Sequence, residues 1–464
     1  MKKALLTVFL ACSAFFAVKA QTNVSGGIYA NTTWTLAGSP YTVTGNVVVF
    51  PGFTLTIEPG VMVKFDAGVQ LEIRQAGLIA MGTNADSISF TSNTSLTAGS
   101  WNSIYLNGGA MTSKFNYCNF RYATNGIEDN RGGVGDSLII NNSNFNFNNT
   151  GLVGQGTGVG LIDNCNFTNN GTGGSLIYGS TINNCNFSFN GTGFNCHSYD
   201  ILNYCTFNHN QTGMGSLLNS KVNHCIVNYN QTGIGIVNSG GNRIKNTTVD
   251  SNAVIGIDLY GNNDSIYNCQ IKYNGIGLRH LQSSLSWPNV IANNTIENNG
   301  IGIILQVTID NIHCNKICNN TTYDLQYSGG QNVSVANNYW CTADSNSTQA
   351  VIYDGHNNIS YGLVNFMPMD TVQCYLATGI SNYESPNFSF SIFPNPATDQ
   401  LTLTFPTIIS KTTISIFNML GGLVYHTSET GINIVINVSD FASGMYVIQI
   451  ASGEKIIRQK FIKQ

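Results

Sequence analysis

Charge is scarce in this sequence. Only 9% of its 464 residues are Asp, Glu, Lys or Arg, against roughly 25% in ordinary soluble domains, which excludes a surface built from charged helices. The few charges sum to -4 and never gather into a basic run. The electrostatic footprint of a nucleic-acid partner is therefore missing, as is the polybasic patch that anionic lipid attracts. Beyond the N-terminus no stretch offers about 18 uninterrupted apolar residues, so no membrane span is expected in the mature protein. Hydrophobic residues still make up 42% of the chain. That is enough for a continuous core, and the length suits one large elongated domain plus a small one rather than a disordered chain.

The N-terminus reads as a secretory signal over residues 1–20. Lys2 and Lys3 precede a mostly apolar stretch from Ala4 to Val18, and the small Ala20 precedes Gln21. Cys12 suggests a lipid anchor, but the apolar run before it is short and Phe9 and Leu10 fit a lipobox poorly. Cleavage after Ala20 and export are expected.

Gly, Asn, Ser and Thr are abundant, and they recur in order. Cys118, Ser143, Cys165, Cys185, Cys205, Cys225, Thr247, Cys269, Asn294, Asn315 and Asn338 follow one another at 20 to 25 residues. Two positions after each stands an apolar residue: Phe120, Phe145, Phe167, Phe187, Phe207, Val227, Val249, Ile271, Ile296, Ile317 and Trp340. The positions between are mostly short and polar, such as Asn119, Asn144, Asn166, Asn186, Thr206, Thr248, Gln270 and Thr295. This is the period-two alternation of a strand with one buried face. A coil of that length cannot bury its apolar side alone, so successive coils stack, each strand pairing in parallel with its copy. A helical solenoid would need a 3.6-residue period and far less Gly and Asn.

The turns carry two further expectations. Gly126, Gly151, Gly173, Gly193, Gly213, Gly233, Gly256, Gly277 and Gly302 recur at one phase and are expected to supply positive φ. Asn148, Asn170, Asn190, Asn210, Asn230, Asn274 and Asn299 precede most of them by three residues and are expected to bond coil to coil as an amide ladder. Alternation between Val24 and Leu106, with turns at Pro51-Gly52 and Pro59-Gly60, reads as an N-terminal cap and first coils. At roughly 22 residues per coil, residues 24–370 predict about 15 coils, ~70 Å of stack at ~4.8 Å each.

Thr33-Trp34-Thr35, Ser39-Pro40-Tyr41, Thr54-Leu55-Thr56-Ile57-Glu58-Pro59-Gly60-Val61 and Val63-Lys64-Phe65 resemble the opening of bacterial right-handed parallel β-helix repeat proteins of the pectin-lyase-like superfamily. Asn337-Asn338-Tyr339-Trp340, Asp354-Gly355 and Val364-Asn365-Phe366-Met367-Pro368 resemble their closing coils. The fold class expected is all-β: a β-helix with N-terminal cap over residues 21–375, a Ser, Asn and Gly-containing linker over 376–389, and a small β-sandwich over 390–464. In that last module the order of Ser391-Ile392-Phe393-Pro394-Asn395-Pro396, Gly421-Gly422, Gly444-Met445-Tyr446 and Lys460-Phe461-Ile462-Lys463 is similar to the type A sorting domain of type IX secretion. The resemblance implies a sorting-signal motif of Pro394, Asn395, Pro396, Gly421, Gly422, Gly444, Tyr446, Lys460 and Lys463. It implies the type IX secretion machinery as a partner, transit through the periplasm, and release or display at the cell surface. A fibronectin-like adhesive module is the alternative for the same strands.

Catalytic signals are thin. Cys118, Cys165, Cys185, Cys205, Cys225 and Cys269 share one inward register, and their parallel Cα–Cβ vectors predict a buried thiol column rather than bridges. His313-Cys314 with Cys318, and Cys341 nearby, lack the second matched pair of a metal site, so a core or local disulfide role is expected. No metal and no cofactor is assigned. Arg243-Ile244-Lys245 matches a polygalacturonase tripeptide, but the paired-Asp and Gly-His-Gly motifs are absent, and Asp250, Asp258 and Asp264 have no evident partners. Inverting hydrolysis needs two carboxylates ~6.5–9.5 Å apart, and no acidic register repeats that way. Arg279-His280 is read as a solvated turn rather than a catalytic pair. Tyr122, Tyr229, Tyr273, His209 and Trp287 are read either as core and edge aromatics or as stacking surfaces for sugar rings. The outward Asn and Thr stripe suits a repeating polysaccharide, or is simply a soluble face. The expectation is a non-catalytic, carbohydrate-binding, secreted or surface-displayed β-helix with no catalytic residue; a polysaccharide lyase or glycoside hydrolase is the rival.

Overall fold

The computed structural model describes residues 21–109, 112–131, 137–154, 159–176, 179–236, 240–281, 287–307, 310–372, 374, 390–418, 422–452 and 455–464. The leader at 1–20, the linker at 376–389 and Gly421 lie outside the described residues. The chain divides into two compact units, Met1–Tyr375 and Leu376–Gln464.

In the first unit each coil contributes strands to three parallel ladders. The first ladder stacks short strands such as Asn144–Asn146, Asn166–Thr168 and Asn186–Ser188. The second stacks Thr150–Gly154, Thr172–Leu176 and Thr192–Cys196, and the third Thr181–Asn183, Ile201–Asn203 and Lys221–Asn223. The first two join near the N-terminus, where Tyr41–Val49 pairs with both Met62–Phe65 and Leu71–Arg74. Thirteen strands make the third ladder, fewer than the 15 coils expected from the mean period. One reason is that early coils are long: Leu78 pairs with Ser113, 35 positions on, because an excursion through residues 93–100 is spliced into that coil.

The interior follows the alternation. Phe120, Phe145, Phe167, Phe187 and Phe207 pair in exact succession and are fully buried. Their rings lie nearly parallel, with centroids 4.5 to 4.8 Å apart, so strand spacing and ring stacking demand the same repeat; burial of each ring stabilises by about 2–3 kcal/mol. The six register cysteines are free and buried beside this column. Their thiols donate to backbone carbonyls, as Cys185 does to Asn183 O at 3.1 Å.

The asparagine ladder is continuous and internal. The Asn190 backbone N–H and side-chain NH2 both donate to Asn210 Oδ1, at 2.9 and 3.1 Å, and the NH2 also donates to Phe167 O at 3.0 Å. The same pattern runs from Asn148 to Asn320, takes in Asn252, and ends on Asp324. Each amide satisfies a backbone donor and a backbone carbonyl, both one coil back, where water cannot reach.

The recurrent glycines play a different part from the one expected. Positive φ falls on other residues: Asn142, Asn164, Asn184, Tyr204, His224, Asn246 and Asn268 in one column, and Phe147, Asn169, Phe189, His209, Tyr229, Ser251 and Tyr273 in another, all between 49° and 59°. The glycines are required by close approach. A Cβ on Gly173, Gly193 or Gly213 would stand 2.3 to 2.6 Å from the carbonyl oxygen of the next glycine in the column.

Among the described residues the second unit is a five-stranded antiparallel sheet, curled so that its last strand also bridges Ala397, as the expected small sandwich-like module requires. The strands are longer than the short segments expected, because Gln400–Asn418 and Leu423–Asn437 run through irregular register shifts instead of stopping. Leu401, Leu403, Phe405, Ile414, Ile416, Ile434, Ile436, Ile448, Ile450 and Phe461 form its core.

Candidate polysaccharide-binding surface

The outer face of the third ladder carries two adjacent columns. One runs Thr181, Ile201, Lys221, Arg243, Ser265; the other runs Asn183, Asn203, Asn223, Lys245, Tyr267. Register places Lys221 directly against Arg243, and Lys245 two residues along from Arg243 on the same strand. All three side chains are exposed; among the described residues none makes an ion pair. At the adjoining corner Tyr204 and His224 stack at 5.0 Å with planes 8° apart. Burial, and then the neighbouring Lys245 charge, lower the His224 pKa, so this ring is neutral near pH 7. Side-chain amides line the same corner and bond up the stack: Asn203 donates to Asn183 Oδ1 at 3.0 Å, Asn246 to Asn223 Oδ1 at 3.2 Å, and Asn268 to Asn246 Oδ1 at 2.7 Å. The result is a flat platform of cations, neutral amides and two stacked rings, whose pitch is the coil spacing of ~4.8 Å.

The polygalacturonase-like tripeptide Arg243-Ile244-Lys245 thus supplies two of the cations, while Ile244 is buried between them. The acids once considered with it do not converge. Asp250 lies on the outer face of the first ladder, opposite Asn228 and Lys272. Asp258 lies on the second ladder, where Arg279 holds it in a two-pronged pair at 2.8 and 2.7 Å. Asp264 is buried at the third corner, accepting from the Asn242 backbone and side chain at 2.9 Å. Arg279-His280 is not a solvated turn; it ends the strand Ile276–His280. Because side chains alternate, Arg279 points out to Asp258 while His280 is fully buried, 2.6 Å from Asp310. A second paired cluster sits on the first ladder, where Glu297 bridges Lys272 and Lys316 and is held below the usual carboxylate range by those two hydrogen-bonded ammonium groups, against the opposing effect of burial.

Of the aromatic candidates, Tyr122 is half-buried and packs against the core, and the others lie outside it. His209 stacks on Phe189 at 4.8 Å and on Tyr229 at 5.3 Å, and Tyr229, Tyr273 and Trp287 are exposed. Sequence reasoning missed Phe189, Tyr204 and His224. Their signal was position: Tyr204 and His224 stand one residue before a register site, where most other coils place Asn, and Phe189 stands two after the buried Phe187, in a column with Phe147, His209, Tyr229 and Tyr273. The Asn and Thr stripe of the first ladder is partly spent on itself, Asn144 donating to Asn119 Oδ1 at 2.9 Å and Asn166 to Asn144 Oδ1 at 3.0 Å, and Ile226 interrupts it.

The third corner holds another buried polar column. Asp200 accepts from the Ser180 N–H at 3.0 Å, and burial, outweighing that bond, pushes its pKa up to about 7. A carboxyl with a raised folded pKa stabilises fully below its unfolded value of 3.8 and loses that contribution as pH climbs through about 7. Asp200→Asn keeps the acceptor and removes the titration. It is expected to be more stable than wild type at pH 8 by up to roughly 4 kcal/mol and equal to it near pH 4; urea midpoints at the two pH values measure this.

In the second unit the Pro394-Asn395-Pro396 turn meets the final strand. Asn395 Oδ1 accepts from the Ile462 N–H at 2.9 Å, the Ala397 N–H donates to Ile462 O at 2.8 Å, and Ala397 O accepts from the Gln464 N–H at 2.9 Å. Tyr446 donates to Ala442 O at 2.8 Å and stacks on Phe461. Gly422 and Asn418 close a turn through a pair of bonds at 2.8 and 2.9 Å. Gly444 pairs with Lys463, which is buried, whereas Lys460 is exposed.

Comparison with known proteins adds the following. The right handed beta helix region family matches residues 102–249, and the secretion system C-terminal sorting domain matches residues 391–464. Ulvan lyase NLR42 of Nonlabens ulvanivorans is 40% identical over 77 residues, 16% of this chain and 14% of that protein, so the likeness spans a small part of the relative. Among solved structures, the periplasmic alginate epimerase AlgG is 12% identical over 73% of this chain and 84% of its own, with a TM-score of 0.33. Alginate lyase from Paenibacillus sp. str. FPU-7 is 14% identical over 68% of this chain and 93% of its own, with a TM-score of 0.22.

Proposed function

We propose that this chain, a right-handed parallel β-helix that the type IX secretion system delivers to the cell surface or the medium, binds anionic polysaccharide there without cleaving it. The observation that carries the reading is the triplet Lys221, Arg243 and Lys245, exposed and without an ion-pair partner among the described residues, on a surface otherwise poor in charge, beside the stacked Tyr204 and His224. Guanidinium and ammonium groups spaced along a rigid stack complement a polymer carrying carboxylate or sulfate at intervals, and a neutral ring pair offers a face to a sugar. Each contact is weak; the repeat makes many of them available at once. The non-catalytic part of the reading rests on the dispersal of Asp250, Asp258 and Asp264 to three different faces.

The test uses the exported protein and a panel of alginate, pectate, ulvan and neutral glucan, following retention on each polymer and the absorbance of unsaturated products. Retention on the anionic polymers, falling with added salt and reduced at least tenfold in a Lys221→Ser, Arg243→Ser, Lys245→Ser variant, is expected. Product formation from any polymer would replace binding by lyase chemistry, and equal retention of the triple variant would move the site elsewhere.

A further inference from the structure

We propose that Cys314 and Cys374 become a second disulfide bond once the protein has left the cytoplasm, closing the C-terminal end of the β-helix. Their sulfurs and a carboxylate oxygen of Asp370 all lie within 4.8 Å of one another, and Cys374 donates to Asp370 Oδ2 at 2.9 Å. Both cysteines are half-buried, whereas the other seven free cysteines are buried. Among the described free cysteines, a reagent or exchange catalyst therefore reaches this pair alone.

The surroundings hold the pair together. Cys314 sits at a corner, its N–H donating to Asn337 O, while the Asp370 N–H donates to Asn338 O. The segment carrying Cys374 thus lies along the last coils, beside the chain that carries Cys314. Cys318 and Cys341 are already bridged at this same end. A stack of coils frays from its ends, because the terminal coil has a neighbour on one side only. Cys374 stands two residues before the second unit begins at Leu376, so the bond would fix the point at which the coils give way to the linker. The three-donor set of two thiols and a carboxylate also suits a transition-metal ion with a fourth position open. The disulfide is favoured because the compartment is oxidising and the two sulfurs lie within 4.8 Å of each other.

Burial, and then the Asp370 carboxylate, push the Cys374 thiol up to about 12, so spontaneous oxidation is slow and an exchange partner is needed. That partner is a disulfide-carrying oxidoreductase of the periplasm. The Cys314 or Cys374 thiolate attacks its disulfide and forms a mixed disulfide; the second thiolate then displaces the enzyme's sulfur. Two thiols here lose two electrons and two protons, and the oxidoreductase disulfide is reduced to a dithiol.

The experiment takes the exported wild-type protein, denatures it with chelator and without reductant, alkylates it, and reads the adducts by intact mass. Seven adducts are expected, one for each buried free cysteine, together with a crosslinked peptide joining 314 to 374. Nine adducts, with or without a zinc ion recovered from the native protein, would overturn the proposal, as would a crosslink joining Cys314 or Cys374 to any other cysteine; the Cys318–Cys341 crosslink is expected in either case. Cys374→Ser is expected to give eight adducts, the new one on Cys314, which identifies the partner without relying on stability.

Discussion

Gly193→Ala should destabilise the β-helix by roughly 3 kcal/mol, a large fraction of the stability of an ordinary domain. The added methyl would lie 2.4 Å from Gly213 O and 3.0 Å from the Phe207 ring. The first of these is backbone and cannot swing aside. Relief requires the coils to part, which lengthens the Asn190–Asn210 bonds at 2.9 and 3.1 Å and the 4.8 Å stack of Phe187 on Phe207. Gly235→Ala is the control: its methyl would meet nothing nearer than Met214 O at 3.8 Å, and a change within about 0.5 kcal/mol is expected. Urea denaturation of both variants decides the matter. Equal stability would mean that the glycine column is not needed for close stacking.

Removal of Ser391–Gln464 should abolish delivery to the surface and leave the protein in the periplasm, because the sorting domain occupies those residues and the β-helix has its own core, apart from that of the second unit. Immunodetection on intact cells and in periplasmic extracts reads the result; normal display of the truncated chain would remove the assignment. Within the domain, the meeting of Asn395 with Ile462 makes the final strand and the Pro394-Asn395-Pro396 turn a single feature, and the sorting motif is proposed to be read there.

Much of the β-helix was legible because its constraints act at each coil in the same way. The column from Cys118 to Asn338, the apolar column from Phe120 to Trp340 and the ladder from Asn148 onward each recur in register, and period-two alternation reads directly as inside and outside. The glycines misled because one residue type answers two demands. Freedom at positive φ and absence of a Cβ leave the same letter in the sequence, and only the distance from Gly193 to the next coil separates them. Asn at 142, 164, 184, 246 and 268 was the available sign of left-handed corners, since among residues with a side chain Asn tolerates that conformation best. The candidate surface was harder. Arg243 and Lys245 stand together in the sequence, but Lys221 becomes their neighbour only through a 22-residue register, and the burial of His280 follows from the strand that Arg279 shares with it. In the second unit the strands continue through residues that looked like turns, because the register shifts absorb them.

The evenness of the central coils has a further consequence, and it concerns ancestry more than energy. From Cys165 to Cys225 the period is 20 residues at each step; Phe167 and Phe187 each have a phenylalanine above and below, and Phe207 lies between Phe187 and Val227. Excision of residues 186–205 would bring Cys185 directly before Thr206, and each column would close over the gap with a like residue. A gene encoding such a stack can gain or lose one turn in a single duplication or deletion without disturbing those that remain. The number of turns, and with it the span of the outer face, is therefore a heritable dimension that selection can adjust in steps of one coil.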